Sequence, residues 1–454
     1  MIEHAIRGTR IYTPDGPREG AILVEDGRIR DIVNGDDVPD GTNVNDVGDL
    51  AVIPSLVDSH VHVNEPGRTE WEGYLTATRA AAAGGVGTII DMPLNCSPVT
   101  TTRRALKAKL DAIKGKLTVD AAFWGGVVPG NLAELRPLAA DGVVGFKAFL
   151  THSGLDEFPN VTRADLEAAM PVIASLGLPL IVHAELDEPA PPALNAQEPR
   201  KFASYLASRP DSMEVRAIRL MIDLCRRTGC RTHIVHLSSA EALPDIEKAK
   251  EDGLPFTVET CPHYLTFADD GIPDGATQFK CAPPIRSSEN RELLWRALGR
   301  GVIDFVVSDH SPCAPELKKF SAGDFLGAWG GIAGLQFTLP AVWMGAKRRG
   351  FQLEDVARWT AERTADFAGL KAKGRLEKGR DADLVVFDDS VLFDVGQGGV
   401  LHRHKVTAYA GLRLQGEVIA HYQRGAMIYD KGEFPAGRRG RALLKGSETW
   451  TSPT

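Results

Sequence analysis

Residues 58–73 read DSHVHVNEPGRTEWEG and place His60 and His62 two apart, directly after the apolar run Val52–Val57. Side chains two apart on a strand point the same way, so both imidazoles can face one cation. The alternative is a pair of surface histidines. A second oddity is GVVGFKAFL, in which Lys147 is the only charge. A lysine pointing inward there loses its proton readily because burial disfavours the charged form. The neutral amine can then take up carbon dioxide to form a carbamate, a carboxylate-like bridging ligand. The alternative is a lysine that snorkels to the rim.

Three further apolar runs end in similar chemistry. LPLIVHAE ends at His183, RTHIVHLSS holds His233 and His236, and IDFVVSDHSP ends at Asp309 and His310. Residues three apart on a strand face opposite ways, so only one of His233 and His236 enters a shared site. His236, nearer the C-terminal end, is the candidate, and His233 is left to packing or to supporting a ligand. Asp309 is the candidate carboxylate, with His310 a structural hydrogen bonder. Six ligands with one bridge suit two divalent ions about 3.5–4 Å apart, zinc being compatible with imidazole and carboxylate donors. His60 and His62 then hold the more buried ion.

Such a site needs strands that end together. Val52–Val57, Val86–Met92, Thr118–Phe123, Val143–Phe149, Leu178–His183, Thr232–Leu237, Pro255–Thr260 and Ile303–Ser308 read as strands. Most are separated by helical stretches: Glu72–Ala83, Thr102–Lys114, Arg163–Ser175, Glu214–Arg227, Ala240–Glu251 and Glu289–Leu298. Eight alternating units predict an α/β fold, a (β/α)8 barrel whose chemistry gathers at the C-terminal strand ends. A doubly wound sheet is the competitor, but no GxGxxG loop follows an early strand. The two flanks differ from the middle. AILVEDGRIRDIV has apolar runs around Asp26-Gly27, a hairpin signal, and GRLEKGRDADLVVFD and GEVIAHYQRGAMIYDKGEF have the same texture. The expected division is a small β-sandwich from residues 1–53 and 372–435, a barrel over 54–371, and a polar, loosely ordered tail over 436–454.

Composition bounds the rest. The chain has 454 residues and a net charge of -8, which offers no basic surface for nucleic acid; Arg438, Arg439 and Arg441 read as a solvated tail. The six cysteines, Cys96, Cys225, Cys230, Cys261, Cys281 and Cys313, form no CxxC pair, so free thiols in a reducing compartment are expected. No apolar stretch is long enough to span a bilayer and the N-terminal residues contain no long h-region. The expectation is a cytoplasmic protein without a membrane partner.

Seven segments, HVHVNEPGRTEWEG, GFKAFLTHSGLDEFPNV, ETCPHYLTF, CAPPIR, VVSDHSPCAPE, AWGGIAGLQ and HRHKVTAYAG, lie around these residues. Together they resemble the cyclic amidohydrolases, the dihydroorotases, hydantoinases and allantoinases, over nearly the whole chain, and most nearly the allantoinase branch. The resemblance implies two divalent ions, most simply Zn2+. It makes Lys147 an N6-carboxylated bridging ligand, with His183 and His236 on the second ion and Asp309 as both ligand and acid/base. It implies a small cyclic ureide as substrate, allantoin opened to allantoate, and a homo-oligomer, a tetramer by analogy. A hydantoinase (dihydropyrimidinase) shares every ligand and is the rival reading; a non-catalytic scaffold paralogue is the reading from another class.

The same resemblance implies substrate contacts. Main-chain groups after strands seven and eight would bind the imide edge, here Cys281-Ala282 and Gly330-Gly331. His152 would hydrogen-bond an oxyanion or line the entrance. Dihydroorotases read HxHxR and MPNT where this chain has Asn64 and Leu94, so the clamp for a substrate carboxylate is missing. Asn64 would meet the ureido arm or support its loop.

Overall fold

The computed structural model describes residues 2–187, 198–437 and 439–447. Eight parallel strands appear in the expected order: Leu56–Val61, Val86–Asp91, Asp120–Phe123, Phe146–Phe149, Leu180–His183, Thr232–Ile234, Phe256–Thr260 and Phe305–Val306. The third continues after Trp124 as Gly125–Gly126, which pairs with Phe146-Lys147. The barrel closes between its first and last strands where Val61 bridges His310, with the His62 N–H donating to the His310 carbonyl at 2.8 Å. Helices cover the outside. Arg163–Ser175 starts where Thr162 and Asp165 form a reciprocal capping box. Asp211–Thr228 stops at Gly229, whose φ of 65° only glycine adopts without strain.

Both flanks build one small β domain. Its eight-stranded sheet runs Ala426–Asp430, Arg413–Gln423, Leu384–Asp394, Ala51–Pro54, His4–Thr13, Gly16–Glu25 and Arg28–Val33, with Val44–Asp46 beside His4–Thr13. The Asp26-Gly27 turn closes the expected hairpin with φ of 52° and 73°. Ile6, Ile22, Val24 and Ile29 from one terminus share a core with Leu384, Val386 and Tyr422 from the other, so the sheet folds on itself as a sandwich. Alternation along 384–387 sends Leu384 and Val386 into that core, while Val385 and Phe387 join the barrel core.

Two expectations need correction. The run Val52–Val57 is not one strand. Ala51–Pro54 pairs antiparallel with Leu384–Phe387 in the sandwich, and the first barrel strand starts at Leu56. Ser55 lies at the switch, its hydroxyl 2.8 Å from His421 Nε2. An unbroken apolar run reports burial on both faces but not which sheet buries it. The tail is also better held than its polarity suggests. Residues 439–447 return across the barrel, with Leu443 buried and bonded to the Ala121 carbonyl at 2.8 Å and Arg441 N bonded to Asp120 at 2.8 Å. Main-chain groups make most of these bonds, so side-chain polarity did not reveal them. Arg438 and residues 448–454 lie outside the described residues.

The same Asp120 anchors the two domains to each other. Lys373 reaches Asp120, Asp383 and Asp381 at 2.7, 2.6 and 2.8 Å, and Arg424 reaches Asp120 at 2.6 Å. These acidic side chains already carry their counter-charges, so they have no need of a metal ion.

Candidate metal centre

The six candidate ligands converge on one cavity of about 610 Å³ at the C-terminal strand ends. His60, His62, Lys147, His183, His236 and Asp309 all line it, and all are buried. His60 Nε2 lies 3.1 Å from Asp309 Oδ1, and His62 Nε2 lies 3.7 Å from it. Ring centroids are 5.5 Å apart for His60 and His62, 5.4 Å for His60 and His236, and 4.6 Å for His183 and His236. His60, His62 and Asp309 form a group able to hold a metal ion. Two of the candidate ligands sit on left-handed backbone, His236 at φ 41° and Asp309 at φ 44°. Both lie just beyond a strand, where the chain turns out of the barrel, and such strain concentrates at functional sites.

Partners fix which nitrogen each imidazole presents. His60 Nδ1 lies 2.5 Å from Glu259 Oε1, which leaves Nε2 for the cavity. His183 Nε2 lies 2.7 Å from Glu185 Oε2, which leaves Nδ1. Arg209 pairs with the same Glu185 oxygen, and Asn95 Nδ2 lies 3.2 Å from His62 Nδ1. The other Glu259 oxygen is 3.0 Å from His233 Nε2, which links His233 to the candidate ligand His60 through that carboxylate, while its ring stacks on Phe305. His310 accepts from the His62 and Leu335 N–H groups through its carbonyl and Nδ1.

Glu259, Glu185, Arg209 and Asn95 were not singled out in the sequence. A signal existed for two of them: Glu259 is the lone charge in FTVET, and Glu185 stands two residues beyond His183. Carboxylates that orient metal-binding histidines set affinity. Glu259→Gln is therefore expected to weaken metal binding by roughly 10–100-fold, read by titrating a chelator against bound metal. Unchanged affinity would remove Glu259 from that role.

Burial dominates the electrostatics. It pushes the Lys147 amine down to about 8 and the Asp309 carboxyl up to about 7. It also holds His60, His62 and His236 well below the usual histidine range. Lys147 Nζ has no hydrogen-bond partner among the described residues. A buried amine with no partner and a lowered proton affinity fits a carbamate, and neutral imidazoles with one carboxylate fit a borderline dication.

The substrate candidates divide. Gly330, Gly331 and Ala282 line the cavity. So does His152, but at an exposed position, with Nδ1 accepting from the Gly154 N–H at 3.1 Å and Nε2 3.4 Å from Asp156. Cys281 does not line it. Its side chain is fully buried and its carbonyl accepts from the Tyr205 hydroxyl at 2.6 Å, so Ala282 alone of that pair meets the cavity. Asn64 does not line it either, and its reading as a ureido contact is corrected. Its Nδ2 donates to the Pro312 carbonyl at 3.1 Å, which supports the loop. Period-two alternation would send Asn64 the way of His60 and His62, but the strand ends at Val61 and Asn64 adopts φ 66°. Leu94 and Asn95 do line the cavity.

Comparison with known proteins follows the same outline. The amidohydrolase family profile matches residues 51–427. An allantoinase from Streptomyces avermitilis is 50% identical over 96% of this chain and 98% of its own length. The allantoinase of Saccharomyces cerevisiae is 45% identical over 91% of this chain and 93% of its own. Among solved structures, an L-hydantoinase (dihydropyrimidinase) from Arthrobacter aurescens superposes with a TM-score of 0.92, at 31% identity over 98% of this chain and 100% of that one.

Proposed function

The chain belongs to the amidohydrolase family, and on that premise we propose that it hydrolyses the ring amide of allantoin to give allantoate. The observation that carries the reading is the 50% identity to a protein named allantoinase over nearly its whole length, joined to an intact set of six ligand-type side chains around one cavity. His60, His62 and Asp309 would hold one divalent ion, His183 and His236 a second, and a carboxylated Lys147 would join them. Zn2+ suits these donors. Two ions bound there supply Lewis acidity, activating water and polarising the scissile carbonyl.

The chain's own residues do the rest. Asp309, with a carboxyl held near neutral by burial, accepts a proton from the attacking water and passes it to the leaving ring nitrogen. Ser311 Oγ donates to Asp309 Oδ1 at 2.8 Å and fixes its rotamer. Glu259 and Glu185 keep His60 and His183 oriented through the cycle. The division of the chain into residues 1–53 with 372–435 and a barrel over 54–371, and a homotetrameric assembly, belong to the same proposal. No helix among the described residues is long and apolar enough to cross a membrane.

The test is a panel of allantoin, 5-substituted hydantoins, dihydropyrimidines and dihydroorotate, with metal content measured on the same sample. Allantoin should give the highest kcat/KM. Preference for simple hydantoins would replace this reading with a hydantoinase, and a metal-free inactive protein would favour a scaffold. Dihydroorotate should fall behind allantoin by at least about a hundredfold. The reason is a carboxylate without a counter-charge, whose desolvation costs several kcal/mol. Leu94 stands on the cavity wall, and the two other cations there are engaged, Arg209 by Glu185 and Lys280 by main-chain carbonyls. Equal efficiency on dihydroorotate would refute that argument.

A further inference from the structure

The loop that follows the eighth strand places Leu326, Ala328, Trp329, Gly330 and Gly331 on the cavity wall. From Pro312 to Gly331 its regular structure is one short 3-10 turn, Pro315–Lys318. Turn bonds and cross-links such as Phe325 N–H to the Pro199 carbonyl and Trp329 N–H to the Leu317 carbonyl, both 2.8 Å, hold its outer part, and two lysine ammonium groups hold the carbonyls of its cavity-facing end. Lys280 Nζ donates to the carbonyls of Leu326 and Ala328 at 3.0 and 2.5 Å and sits 4.8 Å from the centroid of the Tyr205 ring. Lys318 Nζ donates to the carbonyls of Trp329 at 3.1 Å, Lys280 at 3.4 Å and Gly331. Both lysines are buried, and their hydrogen bonds go to main-chain carbonyls rather than to a carboxylate. Burying an ammonium without a carboxylate is costly unless its donors are all engaged, and here they engage the loop's main chain.

Within 326–331 the pattern leaves one cavity-lining residue with neither its N–H nor its C=O engaged. Gly331 N donates to the Lys280 carbonyl at 2.8 Å. The Gly331 backbone has φ 148°, and a Cβ there would come within 2.3 Å of the Ser311 carbonyl, so this residue is pressed against the chain next to Asp309. Gly330 lies between these anchors. Its N–H and C=O have no hydrogen-bond partner among the described residues, it lines the cavity, and a Cβ added to it would be 3.8 Å from Ala282 N.

We propose that Lys318 and Lys280 are positioning residues that clamp the carbonyls of Leu326, Ala328, Trp329 and Gly331, so that the unengaged N–H and C=O of Gly330 are presented to the ring amide of the substrate. The proposal rests on the cyclic-amide reading above. It assigns the two lysines to substrate binding through the loop rather than to metal binding or proton transfer, and neither is a catalytic residue. Because the ring edge is common to all cyclic amides, the clamp acts on allantoin and hydantoins alike.

Lys318→Met and Lys280→Met keep side-chain length and apolar volume while removing the donors. Each is expected to raise KM by about tenfold or more with kcat changed less than about threefold. Metal content should stay at the wild-type level, and amide hydrogen exchange in a peptide covering 326–331 should be faster. A folded, metal-replete variant with wild-type KM and wild-type exchange would overturn the proposal. So would a raised KM with unchanged exchange, since something else would then hold the loop. If Lys318→Met fails to fold, Lys280→Met decides by the same two readouts. Should the unmodified protein open no ring in the panel, the function reading falls, and exchange at 326–331 alone then decides for or against the clamp.

Discussion

Lys147→Ala is expected to abolish activity and to empty the metal site. The expected loss is roughly a thousandfold or more in kcat, with metal content falling in parallel. Lys147 is fully buried on the fourth barrel strand, with its Nζ 5.1 Å from the Phe149 ring centroid and no hydrogen-bond partner among the described residues. A lysine kept there as a bare ammonium would be an uncompensated charge, which proteins avoid. Carboxylation would remove that cost by turning the cation into an anion that two bound dications would neutralise. Lys147→Met separates chemistry from packing, because it fills the same space without the nitrogen. It should be as inactive as the alanine variant while unfolding at nearly the wild-type temperature. A metal-replete, active Lys147→Met would end the bridging role. Assembly should also depend on pH with a definite sign. The reactive form is the neutral amine, and burial lowers its ordinary value to about 8. At a fixed concentration of dissolved carbon dioxide, reactivation of metal-stripped protein by metal should therefore quicken as pH rises from 6 to 8 and level off above, roughly tenfold per unit at the low end. A rate that falls over that interval would contradict the neutral-amine step.

Asp309→Asn should behave differently. An amide oxygen can still approach a metal, but an amide cannot receive and return a proton. Partial metal retention is expected, with kcat reduced by roughly a hundredfold or more. Burial holds the Asp309 carboxyl near 7, and bound dications would draw it down by stabilising the ionised form. The acidic limb of the kcat/KM profile should therefore lie below pH 7 in the metal-loaded enzyme and disappear in the variant. Near-normal turnover by Asp309→Asn would take the acid/base duty away from this residue. The cavity-facing Ser311 supports the same group, and the left-handed backbone at Asp309 shows that its placement costs local strain.

Much of the chemistry was legible without coordinates. His60 and His62, Lys147, His183, His236 and Asp309 stood out because each is a polar or charged residue ending, or interrupting, an apolar run. Burial makes such an exception expensive, so it rarely occurs without a reason. The alternation of eight such runs with helical stretches determined the barrel, and the return of β texture at both ends determined the sandwich. Strand parity allowed only one of His233 and His236 into the site, and the position nearer the C-terminal end pointed to His236.

What only the tertiary structure decided lies where that periodicity stops. Parity sends Asn64 into the cavity, but the chain leaves its strand at Val61 and a left-handed turn points the side chain to Pro312 instead. Val52–Val57 reads as one strand, yet it belongs to two sheets, because apolar continuity carries no information about pairing partners. Glu259 touches His60 across 199 residues of chain, and Lys318 meets Gly331 through a main-chain carbonyl, which has the same chemistry at every position. The sequence by itself determined which residue types must be buried and with what period. Which of them meet, and which peptide groups are left free for a ligand, depends on long-range closure of the barrel and on loop backbone conformation, and neither is written in any local pattern of side chains.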